Sequence, residues 1–204
     1  KLLFKFPDGA LAESVIVPGK DRVSACLSSQ AGCACGCTFC ATGALGFKPD
    51  LSPSEITGQY SACLREAGGK LNSVVFMGMG EPLENYENVT QAIRIINSEE
   101  GPKIAARRIT ISTAGYLPGI KKLIDLDLQV NLSLSLHATT DEQRTKLMPI
   151  NKKYPLKEVL ETCADYFQHT GRIVTLEYIL LKGVNDALID AQRAARARWN
   201  GDDV

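Results

Sequence analysis

Residues 129–137 read Gln-Val-Asn-Leu-Ser-Leu-Ser-Leu-His, and this alternating stretch decides the fold class. On a strand its apolar side chains lie on one face and its polar side chains on the other. Residues 108–113, Arg-Ile-Thr-Ile-Ser-Thr, repeat the pattern. Parallel strands that are covered on both faces usually read as continuous apolar runs. The polar face therefore favours a barrel whose interior holds a polar ligand, and the alternative is a sheet with one solvated face.

Strands and helices alternate along the rest of the chain. The predicted strands are residues 23–27, 74–77, 108–113, 130–136 and 173–181. The predicted helices are residues 53–67, 86–97, 117–126, 141–147, 156–169 and 187–198. This repetition is typical of an α/β fold with a parallel sheet and crossover helices. Because helices that follow every strand must cover something, they favour a partial (β/α) barrel over the half-solvated sheet.

The two ends of the chain differ from this pattern. Residues 1–20 predict an N-terminal β-hairpin extension with a turn at Pro7-Asp8-Gly9. Residues 21–204 form the predicted core domain. The next strand of the alternation is due after the last predicted helix and is not in the sequence. We therefore expect a fragment that is truncated before its last strand.

Composition limits the possible functions. The chain has 204 residues, 45% of them apolar, and a formal net charge of zero. A neutral chain argues against a surface that is basic throughout, so any contact with nucleic acid must be local. No apolar run approaches 18 residues and no signal-peptide pattern is present. The sequence therefore predicts one cytoplasmic globular domain.

Cysteine usage indicates a metal site. Five of the seven cysteines lie within residues 26–40, which suits metal binding in a reducing compartment better than a disulfide framework. The other two, Cys63 and Cys163, fall on helical patterns and are predicted to be buried.

The cysteine-rich loop follows the first predicted strand of the series. It reads Cys33-Ala-Cys35-Gly-Cys37-Thr-Phe-Cys40, with the spacing Cys-x3-Cys-x2-Cys when Cys35 is left out. Thiolates are soft ligands that suit iron–sulfur clusters or zinc. Three ligands leave one iron of a 4Fe–4S cluster open to a small molecule, whereas a structural zinc site closes with a fourth ligand. We favour the open iron–sulfur site and expect Cys35 to be a bystander.

Polar residues also follow the next predicted strands. One group lies in the loop Met-Gly-Met-Gly-Glu-Pro at residues 77–82, where glycine lets the backbone approach a ligand closely. The candidate residues are Gly80, Glu81, Ser112, Ser135 and His137. Ligand sites of βα folds tend to lie at the carboxyl ends of the strands. We therefore expect these residues and the cysteine loop to form one rim.

The cysteine spacing, with Phe39 before the last cysteine, resembles the signature of radical S-adenosylmethionine enzymes. From about residue 13 to residue 186 the chain resembles one family among them, the adenine-carbon-2 RNA methyltransferases. The stretches that carry the resemblance are Cys-Leu-Ser-Ser-Gln-Ala-Gly-Cys (26–33), Gly-Glu-Pro-Leu (80–83), Ile-Ser-Thr (111–113), Ser-Leu-His-Ala (135–138), Pro-Ile-Asn-Lys-Lys-Tyr (149–154), Leu-Glu-Tyr (176–178) and Val-Asn-Asp (184–186).

The resemblance implies a partial (β/α)6 radical S-adenosylmethionine barrel and two cofactors, a 4Fe–4S cluster and S-adenosyl-L-methionine. Cys33, Cys37 and Cys40 would ligate the cluster. The residues implied to bind S-adenosylmethionine are Phe39, Gly80, Glu81, Ser112, Ser135, Leu136 and His137. One electron from the cluster would split the cofactor into methionine and a 5′-deoxyadenosyl radical.

The resemblance also implies how the methyl group is transferred. In this family a cysteine near the carboxyl terminus is methylated first, and the radical then activates that methyl for addition to carbon 2 of adenine. Glu13 matches the family's general base, and Cys26 matches the second cysteine, which would release the product as a disulfide bond. No cysteine follows Cys163. We therefore expect this chain alone to cleave S-adenosylmethionine without methylating RNA.

The implied partners are large-subunit ribosomal RNA, transfer RNA in some members, and a reductase such as flavodoxin. No membrane partner is implied, and a monomer is expected. Among several basic clusters, Lys152 and Lys153 are the first candidates for RNA contact, because they lie in a loop on the predicted active-site side.

Two alternatives remain at this point. A relative that methylates carbon 8 of adenine shares the cluster and the cysteine pair, and these motifs do not separate the two. The chain could instead be a non-catalytic metal-binding module in which the cysteines of residues 33–40 close a zinc site.

Overall fold

The computed structural model describes residues 1–20 and 22–196. The strands are β1 (Leu2–Lys5), β2 (Leu11–Pro18), β3 (Val23–Cys26), β4 (Ser73–Phe76), β5 (Ile109–Thr113), β6 (Asn131–Ser135) and β7 (Val174–Glu177). The helices are α1 (Ala41–Ala44), α2 (Pro53–Glu66), α3 (Tyr86–Asn97), α4 (Leu117–Ile124), α5 (Asp141–Leu147), α6 (Leu156–Thr170) and α7 (Leu188–Arg196). Short 3-10 turns span Ala106–Arg108 and Pro149–Lys152.

All seven strands form one sheet in which the strand order follows the chain order. Strands β1, β2 and β3 pair antiparallel, and β3 to β7 pair parallel to their neighbours. Sequential parallel strands with a helix after each are the arrangement of a (β/α) barrel, here with a hairpin in front. The predicted α/β class and the five parallel strands are therefore confirmed.

The strand register divides the parallel sheet into two faces. Leu132 lies beside Ile111 on one side and Val174 on the other, and this face is fully apolar at its centre. Helix residues such as Ile93 and Ile120 belong to the same buried cluster, so the apolar face packs under the helices. Burying one such side chain contributes about 1.5–3 kcal/mol. We call this the helix face.

The opposite face carries the polar residues of the alternating stretches. Ser112 lies beside Ser133, and Ser135 lies beside Glu177. The hydroxyl of Ser133 donates to Oε1 of Glu177 at 3.3 Å. We call this the inner face. Because it is partly open towards the carboxyl ends of the strands, it can present hydrogen-bonding groups to a ligand.

The first long helix begins where the sequence predicts. Ser52 caps α2 in a reciprocal capping box with Glu55, and Pro53 occupies the first turn. Further along α2, Gln59 is fully buried and joins three parts of the chain. Its Oε1 accepts from the hydroxyl of Ser14 and the N–H of Ser28, and its Nε2 donates to the carbonyl of Ser28. Gln59 thus fixes the hairpin to the end of β3.

The predicted element boundaries differ from the structure mainly after β7. The strand predicted over residues 173–181 ends at Glu177. The fully buried Asn185 accepts from the N–H of Leu181 and donates to the carbonyls of Ile179 and His137, so it turns the chain away from the sheet. The last predicted helix is present as α7, and residues 197–198 lie outside the described part.

Two smaller differences occur near the cysteine loop and before β5. The short helix α1 was not predicted, and Arg108 belongs to a 3-10 turn rather than to the strand. As predicted, Cys63 and Cys163 are fully buried.

Among the residues that the structure describes, no helix combines the length and the apolar character needed to cross a membrane.

Candidate active site

A cavity of about 250 Å³ lies at the carboxyl ends of β4 to β7. Its walls include the three predicted cluster ligands, Cys33, Cys37 and Cys40. They also include six of the seven predicted cofactor-binding residues, namely Phe39, Gly80, Glu81, Ser112, Ser135 and His137. The structure therefore brings the two groups of residues into one space, as the strand-end argument predicts.

The cysteine loop is held by backbone hydrogen bonds on both sides. The N–H of Cys33 donates to the carbonyl of Gly46 at 3.1 Å, and the N–H of Thr38 donates to that of Leu147 at 2.9 Å. Gly32 has a φ of +133°, and a Cβ there would lie 2.3 Å from the carbonyl oxygen of Gly46. Only glycine allows this approach, which sets the position of the first thiol.

The thiols of the loop interact with one another. The interaction with Cys35 lowers the pKa of Cys33 to about 7, and the same interaction together with burial raises the pKa of Cys35. Burial and the charges of Cys33 and Cys40 raise the pKa of Cys37 to about 12, while the charge of Arg144 acts in the opposite direction. The three predicted ligands therefore lie within electrostatic reach of one another.

Within residues 1–20 and 22–196, no three His, Cys, Asp or Glu side chains are arranged to hold a single metal ion. A structural zinc ion needs four ligands converging tetrahedrally at about 2.0–2.3 Å. A four-iron cluster is larger than a single ion, so its thiolate ligands lie further apart. The donor set thus fits a cluster with three thiolates better than the zinc alternative.

Glu81 is a buried carboxylate that accepts hydrogen bonds from two backbone N–H groups. It is 2% exposed, and its two oxygens accept from Leu83 at 3.1 Å and Ala114 at 2.6 Å. Burial raises its pKa to about 7, against the effect of these bonds. Among the described residues no cationic side chain pairs with it. A buried carboxylate without a cation suits an ammonium ligand such as that of S-adenosylmethionine.

His137 has an unusual backbone and a defined tautomer. Its φ is 55°, and its Nδ1 accepts from the N–H of Ile179 at 3.1 Å. Nε2 therefore carries the proton. Burial and the nearby charge of Arg144 lower its pKa to about 4, so the ring is neutral near pH 7. It packs edge-on against Phe39, with 4.9 Å between the ring centres.

Leu136, the seventh predicted cofactor-binding residue, does not line the cavity. The residue is 2% exposed. Its carbonyl accepts from Nε of Arg144, and its N–H donates to the carbonyl of Glu177. Leu136 therefore reaches a ligand through its main chain or not at all.

The two predicted catalytic residues lie beside the cavity on the same inner face. Cys26 pairs with Val15 across β2 and β3, and Glu13 is two residues before Val15, so the register puts Glu13 and Cys26 on one face. Cys26 pairs with Val75 across β3 and β4, and Val75 pairs with Thr110 across β4 and β5. Cys26 is therefore on the same face of the sheet as Thr110, which is the inner face. Neither Glu13 nor Cys26 lines the cavity itself.

Their surroundings differ. Glu13 is part-exposed and pairs with Nζ of Lys1 at 2.7 Å. Cys26 is half-buried, and burial raises the pKa of its thiol.

The prediction of a disulfide bond is not supported. All seven cysteines of the sequence lie in the described part, and each is free. The reason is that no two of these cysteines lie at the distance of a disulfide bond.

Three residues of the site were not predicted from the sequence. Glu177 lines the cavity at the end of β7, and its position beside Ser135 in the register is the signal that would have found it. Arg144 is fully buried next to the site, and Asn185 is fully buried below His137. Both act through long-range hydrogen bonds that no local sequence pattern announces.

The fold and the site together define an α/β enzyme core in which a cysteine-rich loop faces a polar strand-end cavity. Comparison with known proteins narrows this class. The model of the radical SAM superfamily matches residues 27–193. The chain therefore belongs to the radical SAM superfamily, whose enzymes use a 4Fe–4S cluster and S-adenosylmethionine.

Curated relatives give a more specific likeness. The chain is 46% identical over 204 residues to "Probable dual-specificity RNA methyltransferase RlmN" of Akkermansia muciniphila, covering 96% of this chain and 57% of that protein. It is 48% identical to the protein of the same name from Heliobacterium modesticaldum, covering 96% of this chain and 53% of that protein.

A solved structure agrees with this likeness. It is the crystal structure of a radical SAM methyltransferase from Sphaerobacter thermophilus, with a TM-score of 0.92 and 45% identity. The match covers 96% of this chain and 58% of that one. The chain thus spans somewhat more than half the length of the relatives it matches.

Proposed function

We propose that this chain is the radical-generating core of an enzyme that methylates carbon 2 of adenine in large-subunit ribosomal RNA and transfer RNA, through a methylated cysteine. The single observation that carries the proposal is the cavity that joins the three predicted ligand thiols, with Cys35 beside them, to Glu81, Ser112, Ser135 and His137. The likeness to relatives named as dual-specificity RNA methyltransferases supports the choice of RNA as substrate.

In this proposal the cavity residues bind and orient S-adenosylmethionine. Cys33, Cys37 and Cys40 hold the cluster, which when bound supplies the electron that cleaves the cofactor. The buried Glu81 carboxylate accepts hydrogen bonds from the methionyl ammonium, which also supplies the missing counter-charge. Neutral His137 offers its Nε2–H as a donor, because Nδ1 is already occupied by Ile179.

Glu13 and Cys26 are proposed to act on the RNA adduct from the neighbouring part of the inner face. Glu13 removes the proton from carbon 2, and it is part-exposed and pairs with Nζ of Lys1 at 2.7 Å. Cys26 attacks the sulfur that carries the methyl group, which releases the product. Their common face, set by the register with Val15, supports this pairing.

RNA is proposed to approach across the rim beside the 3-10 turn Pro149–Lys152. Lys152 and Lys153 are exposed there, and neither forms an ion pair within the described residues. Met148, just before the turn, lines the cavity. Nζ of Lys153 lies 5.2 Å from the centre of the Tyr154 ring, and both ammonium groups are exposed enough to meet phosphates near the reacting base.

Three further points complete the proposal. The free cysteines support a reducing compartment, so we expect the reaction in the cytoplasm. The family resemblance supports a reductase such as flavodoxin as the electron donor and a monomer as the working form.

The first experiment tests the cofactor step on the chain as it is. Anaerobic reconstitution with iron and sulfide is expected to give a brown protein with about four irons, and reductant plus S-adenosylmethionine should yield 5′-deoxyadenosine. Cys37→Ala should lose both, while Cys63→Ala, at a buried thiol that does not line the cavity, should keep them. Colourless wild-type protein with one zinc would contradict the proposal.

The second experiment tests the RNA step with a chimera. Residues 1–196 replace the matching segment of the Akkermansia muciniphila relative, of which the chain covers 57%. Mass spectrometry of nucleosides from treated RNA should reveal 2-methyladenosine, and Cys26→Ser should abolish it. Formation of 8-methyladenosine instead would assign the chain to the carbon-8 reaction.

A further inference from the structure

Arg144 is a fully buried cation that the proposed function does not use. It extends from α5, and all of its hydrogen-bond partners are neutral. Nη2 donates to the carbonyls of Ala114 at 2.7 Å and Ser135 at 3.0 Å, and Nε donates to that of Leu136 at 3.2 Å. Nη1 donates to Oδ1 of Asn151 at 3.1 Å. These hydrogen bonds engage four of the five guanidinium N–H groups with neutral acceptors, so the charge is not balanced.

A buried charge is costly unless an opposite charge lies nearby. Within the described residues Arg144 forms no ion pair. The carboxylate that its hydrogen-bond network reaches, Asp141, is one step removed, because Asn151 donates to Oδ1 of Asp141 at 2.8 Å. An anion held elsewhere next to the guanidinium would offset this cost.

The geometry shows where such an anion would be. Ala114 and Ser135, whose carbonyls bind Nη2, both line the cavity. Cys37 packs against Leu147 and Met148, which lie at the carboxyl end of α5, the helix that carries Arg144. The guanidinium therefore lies behind the wall on which Cys37 would hold a cluster. A cluster bound by three thiolates is anionic, and reduction makes it more so.

We infer that Arg144 is a positioning residue whose fixed positive charge stabilises the reduced form of the cluster and so raises its reduction potential. The inference rests on the proposed cluster site. The electron comes from an external low-potential reductant and passes to the cluster, and Arg144 keeps its protons throughout. Its hydrogen bonds to the ends of β5 and β6 hold the charge at a fixed distance, so little reorganisation accompanies reduction.

Three variants separate charge from structure. Arg144→Gln removes the charge and keeps a donor, whereas Arg144→Lys keeps the charge and loses the fork of donors. The double variant Asp141→Asn with Asn151→Asp exchanges an amide and a carboxylate that already bond to each other. It places the carboxylate at position 151, directly against Nη1 of Arg144, and leaves the amino-acid composition of the chain unchanged. Arg94→Gln, on the exposed side of α3, is the matched control.

The measurement is a redox titration of the anaerobically reconstituted full chain, followed by electron paramagnetic resonance, with iron content determined for each variant. At a fixed potential the ratio of reduced to oxidised cluster should fall about tenfold in Arg144→Gln, which is 59 mV for one electron. The exchange variant should shift in the same direction. Arg144→Lys and Arg94→Gln should stay close to wild type.

Two results would overturn the inference. One is a wild-type potential in both Arg144→Gln and the exchange variant at full iron content. The other is an equal shift in Arg144→Lys and Arg144→Gln, which would assign Arg144 a purely structural role. If Arg144→Gln does not fold, the exchange variant decides, since it retains the arginine. Failure of the wild-type chain to bind about four irons would instead contradict the proposed function.

Discussion

The helix face and the inner face of the sheet differ although they share the same strands. On β6, Leu134 is fully buried under the helices, while the adjacent Ser135 borders the cavity. The helix face is apolar and packed, which is the usual source of folding free energy. The inner face has few apolar contacts and carries the polar side chains that meet the cavity. Stability and chemistry are therefore divided between alternate residues of one strand.

A matched pair of substitutions tests this division with the largest expected effect. Leu134→Ala should lower the free energy of unfolding by about 2–5 kcal/mol, because it leaves a cavity in the packed face. Ser135→Ala, one residue further on, should change it by less than about 0.5 kcal/mol. Urea unfolding of the chain without cofactors, followed by circular dichroism, measures both. Equal losses would remove the distinction between the faces.

The polar link on the helix side gives the next largest effect. Gln59→Leu keeps the volume but leaves the hydroxyl of Ser14 and the N–H of Ser28 without their buried acceptor. We expect a loss of about 2–3 kcal/mol in unfolding free energy. The control is Gln91→Leu on the exposed side of α3, which should change little. A loss below that of the control would mean that packing alone fixes the hairpin to β3.

Two tyrosine hydrogen bonds that differ in burial give a smaller difference. Tyr166 donates from its buried hydroxyl to the carbonyl of Val130 at 2.8 Å, and Tyr166→Phe should cost about 1 kcal/mol. Tyr178 donates to the carbonyl of Asn185 at 2.9 Å in a less buried position after β7. Tyr178→Phe should cost less, because water can replace the lost bond. Differential scanning calorimetry of both variants checks the order, and a reversed order would mean that burial does not set the cost of losing these hydrogen bonds.

Much of the fold could be predicted from sequence periodicity, because the two faces of the sheet are formed by alternate residues of each strand. The alternation over residues 129–137 predicted β6 and its polar face, and the Ser52 capping box predicted the start of α2. Positions at strand ends predicted that the cysteine loop and Glu81 would meet in one space. Each of these features depends on neighbours in sequence or on a general rule for βα folds.

The remaining features depend on contacts between distant parts of the chain. Arg144 joins the ends of β5 and β6, and Asn185 reaches the carbonyl of His137 across 48 residues. The sequence around each reads as an ordinary helix or turn. The early end of β7 has the same origin, since a side chain from a later loop takes the backbone groups that a longer strand would have used.

The smallest expected effect concerns the pH dependence of the inner face. In the folded chain burial lowers the pKa of His137 from 6.5 to about 4, so between these values the unfolded chain binds more protons. Stability should therefore be complete above about pH 6.5, decline as the pH falls towards 4, and stay level below that. The ring is only part-buried, and after allowance for solvent screening we expect less than about 1 kcal/mol.

His137→Asn isolates this contribution, because asparagine tolerates a positive φ and its Oδ1 can still accept from the N–H of Ile179. The quantity to measure is the difference in unfolding free energy between wild type and variant across pH, without cofactors. Titrations of the carboxylates occur in both proteins and cancel in this difference. Wild type should lose its advantage as the pH falls. A difference that is independent of pH would mean that the ring is solvated enough to keep its ordinary pKa, and the inner face would then be wetter than the cavity lining indicates.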